Sequence, residues 1–228
     1  MAPTPVFADT YGPTLAAIET EEAERSLRTF VAQAWHVVEP STPFKPNWHV
    51  DAICAHLEAV VDGSIRNLLI NMPPRMMKSL TVSVFFPAWR WLRAPWTRFL
   101  YASYSQTLAT DHSLATRRVI ESDWYQERWG DRYGLAGDQN LKTRFENDQR
   151  GARVSTSVGG TGTGLGGDVI VVDDPHNVRE AESDAIREAT LLWWDQAMST
   201  RLNDAKTGAR VIVMQRVHER DLSGHILE

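Results

Sequence analysis

The chain has 228 residues, 43% hydrophobic and 23% charged, with a formal net charge of −5. That length and balance suit one large α/β domain, or a domain plus a small appendage, that hides roughly 70% of its unfolded surface without a disulfide or metal staple. Collagen-like, coiled-coil and wholly disordered chains are excluded.

The net charge argues at first against a nucleic-acid partner, because phosphate binding wants Lys and Arg. The average hides a layout. Residues 1–25 hold five acids and one base, residues 65–118 eight bases and one acid, and residues 168–195 eight acids and two bases. Cys54 is alone, so no intramolecular disulfide forms and a reducing compartment is expected. Met1 to Thr10 lack a basic flank followed by an apolar run, so no secretory signal is read there. No apolar stretch approaches the ~20 residues of a membrane span.

Residues 1–20, with Pro3, Pro5, Gly12 and Pro13, read as a flexible or loosely docked arm. From Glu21 to Val38 apolar residues recur at helical spacing (Leu27, Phe30, Val31, Ala34, Trp35). The 40–46 stretch is a loop, and a second helix is predicted over Trp48 to Val61. The run 68–72, stopped by Pro73-Pro74, is a buried strand, and residues 78–93 a helix with a kink at Pro87. Arg98–Ser103 is a second strand and 105–121 a helix. Residues 124–134 are irregular or helical, and 143–146 and 153–158 form strands, as in a hairpin. DVIVVD (168–173) is the clearest buried strand; 180–202 is a long helix, ARVIVM (209–214) another buried strand, and a last helix begins near Glu219. Strands alternating with helices imply a mostly parallel sheet covered on both faces, with ligands outside the carboxyl ends of its strands.

After the first central strand comes Pro73-Pro74-Arg75-Met76-Met77-Lys78-Ser79, opening a helix. Strand, loop, then Lys-Ser at a helix start is phosphate-loop architecture: backbone N–H groups and the helix terminus bind phosphate oxygens, Lys reaches the β/γ-phosphates and Ser ligates magnesium. Met72 and Met77 stand where the usual G-x-x-x-x-G-K-[ST] pattern has glycine, and an ordinary helix start reads similarly. The acidic strand ends in Asp173-Asp174-Pro175, which resembles a Walker B segment: one carboxylate holds magnesium, the next positions the attacking water. A plain strand-to-turn Asp-Asp-Pro is the competing reading. The cluster 159–167 contains G-x-G-x-x-G over 162–167, yet it precedes a strand, so a dinucleotide fingerprint is rejected. It is left as a loop facing DNA, nucleotide or a neighbouring subunit, or as a plain connection. His112, His176 and His218 lack partners at metal-ligand spacing and read as surface or hydrogen-bonding residues.

The motif order PPRMMKS, GGTGTGLGGDVIVVDDPHNVREAES, a Trp-rich helix ending STRL, then ARVIVMQRVHERDLSGHIL resembles the large terminase subunit of tailed bacteriophages, from about Phe44 onward. The resemblance implies a three-layer phosphate-loop NTPase of the ASCE type over residues 26–228, preceded by an acidic, partly flexible arm over 1–25. It implies ATP and Mg2+ as ligands, with Lys78 and Ser79 as the phosphate-loop Lys and hydroxyl. Arg75 would be the loop arginine, and Asp173, with Ser79, would hold the metal. Asp174 would be the catalytic acid. Pro74 to Ser79, Trp48 and Gln215 would line the nucleotide, Trp48 in the segment that meets adenine in relatives, while Gln215-Arg216 falls at the coupling motif. An arginine acting in a neighbour's site would be Arg144, Arg150 or Arg153, since Thr163 stands where relatives often carry Arg. The implied partners are double-stranded DNA, the portal of the procapsid, the small terminase subunit and further copies in a ring, in the host bacterial cytoplasm with no membrane. Relatives also carry a nuclease domain after the motor, so no nuclease activity is expected of this chain, which stops within the last helix of the motor pattern. A helicase-like or recombination ATPase, and a nucleotide-binding assembly module without turnover, are the alternatives.

Overall fold

The computed structural model describes residues 14–160 and 164–228. Among them a seven-stranded sheet runs in the order β1 (Asn67–Asn71), β7 (Ala209–Met214), β6 (Val169–Asp173), β2 (Arg98–Ser103), β5 (Ala152–Ser157), β4 (Arg144–Asn147), β3 (Leu135–Asn140). The first five are parallel; β4 pairs antiparallel with β5, and β3 antiparallel with β4, closing one edge. The chain is an α/β fold with a mostly parallel sheet and helices on both faces.

Alternation along the strands produces the layers. Phe99, Tyr101, Val169, Val171, Val211 and Val213 point to one face, where they join α2 (Leu27–Val38), α3 (Trp48–Val61) and the helical segments after β1 and β2. Leu100, Ala102, Ile170, Val172, Ile212 and Met214 point to the other, against Trp194, Met198 and Leu222. Every residue of β6 is buried, which is why it reads as an unbroken apolar run.

The expected arm gives way, from Leu15 on, to helix α1 (Leu15–Arg25); residues 1–13 lie outside the described residues. Ala23 is buried, Trp89 Nε1 donates to the carbonyls of Ala23 and Glu24 at 3.1 Å each, and Arg132 grips the Glu24 carboxylate through both terminal nitrogens (2.8 and 3.0 Å). Ser26, extended at φ −126° and ψ 120°, divides α1 from α2 and caps the latter, so the single periodic run is two helices. The 78–93 helix departs from α geometry. Leu80–Phe85 is π-helical, with Phe86 N donating to Thr81 O, and α4 (Phe86–Arg90) continues with Pro87 in its first turn. The 180–202 helix is α7 (Asp184–Trp193) followed by a π-helical turn, Trp194–Met198. The other helices are α5 (Gln106–Glu121), α6 (Asp123–Trp129) and α8 (Leu222–Leu227).

Candidate functional site

Strand order builds the site. β7 lies between β1 and β6, so the segments leaving the carboxyl ends of β1 and β6 face each other across the end of β7. The loop after β1 turns through Arg75 and Met77, whose φ values are 62° and 59°. Met77 occupies the last glycine position of the usual motif and takes a left-handed conformation that glycine adopts without steric cost. The loop from Arg75 to Leu80 lines a cavity of about 230 Å³. Pro74 lies in the turn that leads into it.

Lys78, 5% exposed, reaches across β7 to Asp174, Nζ to Oδ2 being 2.6 Å. The other carboxylate oxygen of Asp174 accepts from the backbone N–H of Gln215 at 2.9 Å. Asp174 is itself left-handed at φ 45°, its N–H bonded to Val213 O and its carbonyl to the N–H of Tyr104. This backbone turn aims its side chain back over β7 instead of along β6. Ser79 Oγ donates to Asp173 Oδ1 at 2.9 Å. Lys78, Ser79, Asp173, Asp174 and Gln215 are thus brought together from three strand ends.

A buried polar layer that sequence reasoning missed lies behind Asp173. Ser83 Oγ donates to Asp173 Oδ2 at 2.7 Å, and His112 Nδ1 stands 3.5 Å from the same oxygen. Burial pushes the Asp173 carboxyl up to about 6, the Asp174 carboxylate adds to this, and the serine hydrogen bonds and Lys78 oppose it. Burial pulls His112 down to about 4, helped by Arg153 and Lys78, so at neutral pH the ring is an uncharged neighbour. His112 is thus a half-buried side chain beside Asp173. A hydroxyl four residues after Ser79 on a helix was the available signal for Ser83.

Among the described residues, the other expected ones make no hydrogen bond or ion pair with Lys78, Ser79, Asp173, Asp174 or Gln215. Trp48, at the start of α3, is 76% exposed and meets the ring of His49 edge-on. Arg153 is fully buried beneath the sheet's helical face, which removes it as an arginine offered to a neighbour. Arg144 and Arg150 are exposed and line a cavity of about 370 Å³ with Arg98 and Gly164 to Gly166, where Arg144 pairs with Glu146. That cavity lies towards the amino ends of β2 and β5, away from Lys78. Thr163 lies outside the described residues. The R-x-H-x-x-D-L-x-G tail is a self-tied turn. Buried Asp221 accepts from the N–H groups of Val217, His218 and Gly224 and from Arg216 Nε, and Arg216 Nη2 reaches the Glu219 carbonyl. A Cβ on Gly224 would stand 2.0 Å from that carbonyl oxygen, so only glycine fits. His176 Nε2 accepts from Leu222 N at 2.9 Å, tying the Asp-Asp-Pro turn to α8.

The donor set fits a hard cation. Among the described residues no group of three or more His, Cys, Asp or Glu gathers as a metal site. One buried carboxylate and one hydroxyl side by side suit Mg2+, which takes few protein oxygens and completes its shell with water and substrate phosphates.

No family model matches the chain, and no curated protein matches it in sequence. Its fold matches the crystal structure of the HK97 bacteriophage large terminase. The TM-score is 0.61 over 88% of this chain, at 12% sequence identity, and the match spans 39% of the terminase's length. The fold is terminase-like. No described helix is long and apolar enough to cross a membrane.

Proposed function

We propose that this chain hydrolyses ATP with Mg2+ as the motor domain of a viral DNA-packaging terminase, translocating double-stranded DNA into a procapsid in the host cytoplasm. The observation that carries this reading is the convergence of Lys78 and Ser79 with Asp173 and Asp174, about a hundred residues away in sequence, over the end of β7. The terminase-like fold is compatible with this reading, which takes further copies in a ring, the portal and the small terminase subunit as the partners.

The chain's own groups divide the work. Backbone N–H groups of residues 75–79, with the Arg75 side chain, receive phosphate oxygens. Lys78 turns from Asp174 to the β- and γ-phosphates, whose oxygens compete with the carboxylate for its three N–H donors. That exchange frees Asp174 Oδ2 to accept from the attacking water, while Gln215 N keeps Oδ1 in place. Ser79 and Asp173 would hold Mg2+, which neutralises charge developing on the phosphates.

Steady-state ATP turnover of the wild-type chain, Lys78→Ala and Asp174→Asn tests this. Turnover is expected to fall at least about a hundredfold in both variants. Wild-type rates in Lys78→Ala would remove the assignment. A nucleotide-binding module without turnover is the second reading, favoured by the engagement of both Asp174 oxygens. Tight ATP binding with no phosphate release, even in an assembled ring, would select it.

A further inference from the structure

Pro87 has no N–H, so the carbonyl of Ser83, four residues earlier, lacks its α-helical donor. Two side chains from other elements take that carbonyl: Arg153 Nη2 from β5 at 2.9 Å and Thr116 Oγ1 from α5 at 3.1 Å. Arg153 is fully buried, its Cζ lies 4.2 Å from the ring centroid of Tyr101, and Nη1 donates to Ser155 Oγ. Tyr101 in turn donates its hydroxyl to Val82 O at 3.0 Å. The π-helical segment is thus pinned from below at two successive carbonyls. The one side chain that the segment directs at Asp173 from this pinned turn is Ser83, on Oδ2.

We propose that Ser83, clamped by Arg153, is a positioning residue: it occupies Asp173 Oδ2 so that Oδ1, beside Ser79, is the oxygen presented to a divalent cation. This rests on the nucleotide reading above. A carboxylate has two oxygens and free rotation about its last bond, and a fixed donor on one selects which faces the loop. A buried cation with few partners is costly to retain for stability alone. Arg153 offsets part of that cost through Ser83, Ser155 and the Tyr101 ring, while its Nε stays buried without a hydrogen-bond partner.

The experiment titrates a fluorescent ATP analogue into the chain with Mg2+ and with EDTA, and reads the ratio of the two affinities beside the melting temperature. Ser83→Ala is expected to lower that ratio about tenfold, the effect of losing a support behind a metal ligand. Arg153→Met is expected to lower it likewise, and Arg153→Lys, which keeps a charge and a donor, to recover most of it. A merely structural role would weaken both affinities alike and leave the ratio at the wild-type value, and that result in a folded Ser83→Ala chain overturns the proposal. Should Arg153→Met fail to fold, Ser83→Ala decides alone. A wild-type chain that binds the analogue equally with Mg2+ and with EDTA removes the cation and this inference together. A wild-type chain that binds it in neither removes the nucleotide reading itself.

Discussion

Met77 holds a left-handed backbone at φ 59° directly before Lys78. A residue with a Cβ spends about 1–2 kcal/mol to sit there, and a β-branched one more. The loop keeps that conformation because it aims Lys78 across β7. Met77→Gly is expected to leave stability within about 1 kcal/mol of wild type, since relief of strain offsets the greater freedom of the unfolded chain. Met77→Val is expected to lose about 1–3 kcal/mol. Urea unfolding of the two variants checks this, and equal stabilities would show that the left-handed turn is not maintained in solution. Asp174 follows the same logic at the other loop, where φ 45° bends the side chain back towards Lys78.

At the scale of elements, α1 and α2 show how an apparently spare segment joins the fold. Glu24 and Arg132 form a two-pronged pair that leaves each about one-third exposed, and Arg132 also caps the Leu92 carbonyl. Glu24→Ala is expected to cost about 1 kcal/mol, a drop of about 2–4 °C in melting temperature. The helix beneath matters more. Phe30 is fully buried and its ring meets those of Trp124, Tyr125 and Trp129 at centroid distances of 5.3 to 6.2 Å. Phe30→Ala is expected to cost about 3–5 kcal/mol by denaturant unfolding. A loss below about 1 kcal/mol would mean that α2 does not carry the aromatic cluster.

At the scale of the whole molecule, buried acids with raised pKa values predict alkaline lability. Burial pushes the Cys54 thiol from 9.0 up to about 12, with Glu58 and Asp51 adding to it. Burial likewise raises Tyr101, Tyr125 and Tyr133 above the usual phenol range. Between the unfolded and folded pKa values the unfolded chain has released a proton that the folded chain keeps. Stability is therefore fully present below about pH 9 and declines as pH rises towards the folded values. Unfolding free energies from pH 7 to 11 check this, and a flat profile would contradict the burial of these groups. A thiol reagent at pH 8 is expected to modify Cys54 only in the unfolded chain.

Much of this architecture follows from residue order. Trp48–Val61, Arg98–Ser103 and Ala209–Met214 have the bounds that periodicity assigns them, because buried strands and amphipathic helices each leave a distinct apolar period. The pairing of a Lys-Ser loop with an Asp-Asp strand end was legible too, since each motif is a short run at a strand terminus. Strand β3 (LAGDQN) was not, because its pairing with β4, rather than β propensity, makes it a strand. Nor was the layer behind Asp173. Arg153 looks like an exposed arginine until β5 is placed between β2 and β4, and His112 has no visible partner until α5 brings it beside Asp173. Sequence determined which groups stand at the ends of the strands, since local pattern sets the elements. Only the tertiary structure decided that β7 separates the two loops, that Lys78 meets Asp174 across it, and that Ser83 and Arg153 stand behind Asp173. Those contacts join residues 70 to 96 positions apart, which no local period encodes.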